Sequence, residues 1–251
     1  MSMPRKIRCQ VEAVIDHGDR VYSLDLTPAS PVPPFRPGQF LHLTVEDYDP
    51  AGFWPESRVF SIASSPRNRQ HLRLCYSVKG RYTTRMEQVL APGREVWVKL
   101  PYGDFVIDDA REAVLVAGGT GISAFTAFLE ALTAQTHQNV TLVYGARTPA
   151  LFLFREMLLA QLAAVANFRG MFFTETADAL FAQQLAAHPQ KPACLTGRIS
   201  VEDILRGLSP HLRPLSALFY LSGPPGMRAV LGAGLRAAGV PPEQVRTDAW
   251  E

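Results

Sequence analysis

The chain has 251 residues, enough for two domains of about 100 to 150 residues that each bury a core. Its 25 basic and 23 acidic side chains leave a net charge of +2, and no basic block carries interleaved aromatics, which argues against nucleic-acid binding. Three scattered cysteines without CxxC spacing argue for a reducing compartment, against a disulfide framework, and against a cluster held by four thiolates from this chain alone.

The first ten residues carry charge with no apolar run behind it, unlike a signal peptide. No stretch approaches the ~18 apolar residues of a membrane helix. The expected location is the cytoplasm, with no membrane partner.

Residues 7–15 and 21–26 read as strands around a turn at His17-Gly18-Asp19. Residues 28–37 carry five prolines and predict an irregular connection, because proline cannot occupy a central strand. Further strands are expected over 39–45, 58–63, 72–78 and 95–100, with a short helix near 83–90. Short strands parted by Pro and Gly predict an antiparallel Greek-key β-barrel. Within it, Arg58-Val59-Phe60-Ser61 alternates, so Arg58 and Phe60 share one face while Val59 and Ser61 take the other. A planar cation beside an aromatic ring suits a ligand with an anionic part and a flat part. The structural alternative is an edge strand with a solvated Arg58 next to a core Phe60. Gly80-Arg81-Tyr82-Thr83-Thr84 can offer N–H and hydroxyl groups to a phosphate at the start of the short helix. Alternatively, Thr83 or Thr84 simply caps that helix.

After about Asp108 the pattern changes to apolar runs alternating with helices. Strands over 113–117, 140–144 and 218–221 precede helices from about 122, over 151–165 and over 226–238. This predicts a parallel α/β sheet, hence two domains, 1–108 and 109–251. Gly118-Gly119-Thr120-Gly121 leaves an apolar strand and opens a helix, where glycines admit a ligand closely and unpaired N–H groups face an anion. It is not GxGxxG. Ser222-Gly223-Pro224-Pro225-Gly226 turns at the carboxyl end of a late strand, where open sheets bind ligands, or it is only a rigid helix start. Residues 171–175 read as a strand ending in Thr174-Glu175. The six histidines show no metal spacing and are expected mostly at the surface. No metal site and no Ser-His-Asp or Cys-His constellation is predicted.

In this order the elements resemble the ferredoxin–NADP reductase family of flavoproteins over nearly the whole chain. Gln39-Phe40 after Pro37-Gly38, Leu100-Pro101-Tyr102-Gly103-Asp104-Phe105, and Tyr144-Gly145-Ala146-Arg147 look like further landmarks of that family. The resemblance implies FAD on the barrel and a nicotinamide nucleotide, NADH or NADPH, on a Rossmann-like second domain. It gives Arg58 the FAD pyrophosphate and Phe60, where the family more often has Tyr, the flavin ring. Ser61 falls near flavin N5. Val59, Tyr76, Val78, Lys79 and Tyr82 complete the flavin contacts, while Gly80, Thr83 and Thr84 hold the pyrophosphate. Gly118, Gly119, Thr120 and Gly121 receive the nicotinamide end, with Gly223, Pro224 and Met227 beside it and Arg147 near the phosphates. Ser222 stands where the family commonly has Cys. Asp248-Ala249-Trp250 matches a tail whose aromatic covers the flavin. Ser61, Ser222, Asp248 and Trp250 are thus the expected catalytic set. Thr174-Glu175 stands where NADP-using relatives carry Ser-Arg, which favours NADH, although Arg198 could supply a positive charge instead.

The activity implied is hydride transfer from NAD(P)H to FAD. Single electrons then pass to a separate ferredoxin, iron–sulfur or haem protein such as an oxygenase component, and the enzyme is expected to be a monomer. Two other readings stay open: a flavin reductase that uses free flavin as substrate, and a non-catalytic nucleotide-binding regulatory subunit.

Overall fold

The computed structural model describes residues 3–107, 112–188, 192–208 and 217–248. The chain divides into two compact units, one of Met1–Val106 with Ser123–Phe128, the other of Ile107–Ile122 with Leu129–Glu251. Asp108, the expected boundary, lies outside the described residues.

The first unit is an antiparallel six-stranded sheet of β1 (Arg5–Asp16), β2 (Val21–Pro28), β3 (Phe40–Thr44), β4 (Arg58–Ser61), β5 (Leu72–Ser77) and β6 (Glu95–Tyr102). Strand order is β4-β3-β6-β1-β2-β5. The barrel is nearly closed: beyond β4, the Ala63 N–H donates to the Arg73 carbonyl on β5 at 2.8 Å. Alternation drives the assembly. On β1, Ile7, Cys9 and Val11 are buried while Arg8, Gln10 and Glu12 are exposed. Leu24, Leu26, Leu41, Leu43, Leu72, Leu74, Val96 and Val98 fill the same core. Each buried side chain of this size contributes about 1.5–3 kcal/mol relative to exposure.

The proline-rich connection ends at Gly38, where any Cβ would lie 2.0 Å from the Phe105 carbonyl oxygen. Gln39 clips this junction: its Oε1 accepts from the Arg36 N–H at 2.9 Å and its Nε2 donates to the Gly103 carbonyl at 3.0 Å. Phe40 stacks on Tyr102 with ring centroids 5.7 Å apart. Two landmarks far apart in sequence therefore meet. The segment Ser123–Phe128 completes this unit, with Thr126 Oγ1 donating to the Ala63 carbonyl at 2.8 Å and Phe125 packed against Phe105.

The short helix α1 is Arg81–Val89, two residues earlier than expected at its start. Its N-cap is Gly80, not Thr83 or Thr84. Thr83 instead reaches back, its Oγ1 accepting from the N–H groups of Lys79 at 2.9 Å and Gly80 at 3.1 Å.

The second unit holds a parallel sheet of β7 (Ala113–Gly118), β8 (Val140–Ala146), β9 (Phe168–Thr174), β10 (Ala193–Thr196), β11 (Leu218–Ser222) and β12 (Val245–Thr247). Its order is β10-β9-β8-β7-β11-β12. β7 and β11 are buried throughout, as strands covered on both faces must be. Its helices are α3 (Arg155–Ala164), α4 (Ala179–Ala186), α5 (Val201–Arg206) and α6 (Pro225–Ala237), while α2 (Ser123–Glu130), which follows β7, gives Ser123–Phe128 to the first unit. On one face Val114, Val116, Phe219 and Leu221 pack with Leu231 and Leu235 of α6. Elsewhere in the unit Tyr144, Phe152, Phe172 and Phe181 interlock. The helix expected from 151 begins only at Arg155, because Phe154 takes a left-handed backbone at φ 59°. The chain runs outward from β7 through β8 and β9 to β10, then returns to the other side of β7. Strand order therefore reverses between β7 and β11.

Among the described residues no helix is long and apolar enough to cross a membrane.

Candidate functional site

On the barrel, Arg58 opens the four-residue strand β4. Its guanidinium lies over the Tyr82 ring, 4.6 Å from the centroid. Tyr82 is itself fixed: its hydroxyl accepts from the Val45 N–H at 3.1 Å and donates to the Glu56 carbonyl at 3.1 Å. The guanidinium also donates to Glu56 Oε1 and to the Ser57 carbonyl, both at 2.8 Å. Glu56 reaches Arg81 of α1 at 3.4 Å, so Arg58 and the first turn of α1 belong to one ionic group. The hydrogen bond from Arg58 is the largest influence holding the Glu56 carboxyl below its usual range. Phe60 is half-buried against the core and meets Tyr76 edge-on at 6.3 Å.

These contacts sort the residues expected to touch flavin. Arg58, Lys79 and Gly80 are exposed, and Val59, Phe60, Val78, Thr83 and Thr84 are half-exposed. Ser61 is buried beside Phe40. Tyr76 is only 2% exposed, stacked on Tyr22, and offers no ring face to a ligand. Its hydroxyl is buried with no hydrogen-bond partner, and burial pushes its pKa up. Tyr82 braces Arg58 from below. The N–H groups of Lys79 and Gly80 already bond to Thr83, which leaves the next turn of α1 as the source of donors.

In the second unit, two turns meet where strand order reverses. Gly118 ends β7, and Gly119, Thr120 and Gly121 form a 3-10 turn ahead of α2. A Cβ on Gly121 would lie 2.5 Å from the Ser222 carbonyl carbon and oxygen. The side chains of Pro224 and Met227 crowd Gly118 from the second turn. Reversal points of open sheets leave a crevice at the carboxyl ends of the strands. By helix geometry the opening N–H groups of the first turn have no partner within the helix. The start of α6 is poorer in donors, because Pro224 and Pro225 have none.

Ser222 Oγ donates to Asp248 Oδ2 at 2.7 Å, and the Asp248 N–H donates to the Leu221 carbonyl at 2.9 Å. Of the expected catalytic set, then, Ser222 and Asp248 are joined and buried. Trp250 lies outside the described residues, and Ser61 belongs to the other unit. Arg147, Thr174 and Glu175 gather at the ends of β8 and β9, where the Glu175 N–H donates to the Arg147 carbonyl at 3.1 Å. Thr174 is buried and its hydroxyl donates to the Thr176 carbonyl at 2.7 Å, so Glu175 alone of that pair faces solvent.

Sequence reading missed Glu56, which stands two residues before Arg58 as a carboxylate in reach of it. It also missed Arg228, buried on the inward stripe of α6 with Leu231 and Leu235, its Nε without a hydrogen-bond partner. A cation at helical spacing with core leucines was the available signal. Of the described histidines His137 is exposed and His17, His42, His71 and His188 are partly exposed, with His17 bonded to Ser23 Oγ at 2.8 Å and His71 to Asp25 Oδ1 at 3.0 Å.

Residues 115–231 match the oxidoreductase NAD-binding domain family. The chain is 30% identical over 185 residues to the NAD(P)H-flavin reductase of Vibrio harveyi, covering 69% of this chain and 74% of the relative. It is 26% identical over 254 residues to the reductase component of propane 2-monooxygenase from Mycolicibacterium smegmatis, covering 97% and 67%. A solved ferredoxin NADP+ reductase from Neisseria gonorrhoeae shares the fold with a TM-score of 0.73, 20% identity and 99% of both chains covered. The chain spans from about a third to about three quarters of the length of the curated relatives it matches. The chain belongs to the ferredoxin–NADP reductase family. This chain is an FAD-dependent NAD(P)H oxidoreductase.

Proposed function

We propose that the chain draws electrons from NAD(P)H, with NADH favoured, through FAD held on the barrel, and delivers them singly to a separate ferredoxin, iron–sulfur or haem protein. The observation that carries this reading is the reversal of strand order between β7 and β11, with two turns closed against each other at the strand ends. The glycine turn at Gly118–Gly121 lets the nicotinamide end come close to the backbone. The proline turn at Pro224 and Pro225, with few donors, suits the uncharged nicotinamide ring. The bond from Ser222 to Asp248 fixes the second turn, and Arg147 adds positive charge for the phosphates. The relatives named as oxygenase reductase components support a separate acceptor.

The barrel residues fit FAD. Arg58 presents a guanidinium braced by Tyr82, suited to bidentate phosphate bonding. Its exposed pairing with Glu56 is weak in water and gives way to a phosphate. The unpartnered Tyr76 hydroxyl beside Phe60 is a donor that a polar group on this wall would satisfy. Phe60 and Val78 supply apolar surface, and Gly80, Thr83 and Thr84 stand at the start of α1. Bound FAD supplies the chemistry of taking two electrons as hydride and releasing them one at a time. The protein's task is then mainly positioning.

A second reading, reduction of free flavin as a substrate, is favoured by one observation. Thr83 consumes the Lys79 and Gly80 N–H groups, which leaves fewer donors to retain a pyrophosphate. The relative in Vibrio harveyi and the Phe at position 60 point the same way.

The visible spectrum of freshly purified protein, followed by anaerobic titration with NADH and NADPH in turn, tests both. Bound flavin that bleaches faster with NADH is the expected result. A colourless protein active only with added flavin would establish the second reading. Bound flavin that neither coenzyme bleaches would defeat both.

A further inference from the structure

Arg20, at the tip of the β1–β2 hairpin, holds the segment that leads into α1 from both ends. The hairpin turn closes where the Val21 N–H donates to the Gly18 carbonyl at 2.9 Å. Its two central residues, Asp19 and Arg20, both take positive φ, at 50° and 57°. Turns of this kind favour glycine at the second position, so an arginine there is costly to the backbone. Its polar groups are all engaged on one segment. The Arg20 carbonyl accepts from the Val78 N–H at 3.0 Å, one residue beyond the Val21–Ser77 pair that ends the β2–β5 ladder. The guanidinium donates through Nε to Glu87 Oε1 at 3.1 Å and through a terminal nitrogen to Oε2 at 2.5 Å. Glu87 lies one turn of α1 beyond Thr83 and on the same side of the helix. Arg20 therefore binds the chain just before Lys79 and Gly80, and binds the helix just after them.

Glu87 has a second partner. The Tyr22 hydroxyl donates to Glu87 Oε1 at 3.0 Å. The Tyr22 ring stacks on Tyr76 at 5.3 Å, and Tyr76 meets Phe60 edge-on at 6.3 Å. One carboxylate thus joins α1 to the aromatic wall behind Phe60. We propose that Arg20 and Glu87 are positioning residues for FAD, which set the start of α1 in register with that wall. The inference rests on the FAD reading given above. A ligand that carries both a flat ring and a pyrophosphate needs the two surfaces at a fixed separation, whereas a ring alone needs only one of them. A displacement of about 1 Å is costly when two groups have to be met at once. The pair itself is largely solvent-facing, with the Arg20 side chain 55% exposed, so it adds little to stability and the variants that break it keep their fold.

The test is fluorescence titration of the full chain, stripped of flavin, with FAD and with riboflavin, alongside the melting temperature. The wild type should bind FAD more tightly than riboflavin. Arg20→Gly removes the side chain and also relieves the positive φ, so its melting temperature should hold or rise. Its affinity for FAD should nevertheless fall by roughly tenfold, with riboflavin affinity unchanged. Glu87→Gln should lose FAD affinity in the same direction. Arg20→Lys keeps the charge without the two-pronged bond and should lose less than Arg20→Gly. If Arg20→Gly and Glu87→Gln bind FAD as the wild type does, the positioning role is overturned and the FAD reading survives. Equal losses for FAD and riboflavin overturn it too, because they mark general damage to the barrel. If the wild type binds FAD no more tightly than riboflavin, the FAD reading falls and the positioning role with it.

Discussion

Ser222 Oγ donates to Asp248 Oδ2 at 2.7 Å, with the two residues only 1% and 8% exposed. The bond ties the end of β11 to the residue just beyond β12. Ser222→Ala takes one hydrogen bond from a buried carboxyl, at a cost of about 1–3 kcal/mol. The urea midpoint should fall with the slope unchanged. Ser222→Cys keeps the size but has a weaker donor, so its midpoint should fall between the two.

Arg58→Ala should lower FAD affinity by about tenfold or more, because a charged contact to phosphate is lost. Arg58→Lys should recover only part of it, since an ammonium cannot form the planar bidentate pair. Flavin content after purification and fluorescence titration read both effects. Full flavin content and unchanged affinity in Arg58→Ala would make Arg58 a solvated edge residue.

Asp25 predicts an acid-dependent step in the stability of the first unit. Burial pushes its carboxyl up, but hydrogen bonds from His71 and Arg73 outweigh that and hold it well below the usual carboxylate range. Arg73 binds it through two nitrogens, at 2.6 and 2.7 Å. A depressed folded-state pKa gives stability that is present above the unfolded value of about 3.9 and lost as pH falls toward the folded value. The stability gap between wild type and Asp25→Asn should be widest near neutrality and close below about pH 4. A gap that does not change with pH in denaturant titrations would refute this.

The three thiols should separate by reactivity. Burial pushes Cys9 and Cys75 up to about 12, so neither forms thiolate in the folded protein. Cys194, at half-exposed β10, is raised less by burial. A disulfide reagent at pH 8 should modify Cys194 first and the other two only on unfolding. Cys194→Ser should abolish the early phase.

The six barrel strands and β7, β8, β9 and β11 are legible in the sequence because each carries a sustained alternation or an unbroken apolar run. The four-residue β10 and three-residue β12 are too short and too half-buried to show a period. The late start of α3 was hidden because Leu151, Phe152 and Leu153 have helical composition while Phe154 takes a turn conformation that its residue type does not announce. At the candidate site, Arg58 and the glycine turns are visible as motifs. What the sequence does not show is how their polar groups are already used. Glu56 holds Arg58, Thr83 takes the N–H groups of Lys79 and Gly80, and Asp248 holds Ser222. Those pairings depend on backbone placement and leave no trace in composition.

The Ser123–Phe128 stretch that completes the first unit is made after β7, not with the barrel strands. During synthesis the residues up to Val106 therefore emerge before the Thr126 hydroxyl that bonds Ala63 and the Phe125 ring that packs on Phe105. The six barrel strands are all delivered before these two contacts can form, in the order in which domains commonly fold. A chain cut at residue 108 would lack both contacts for good.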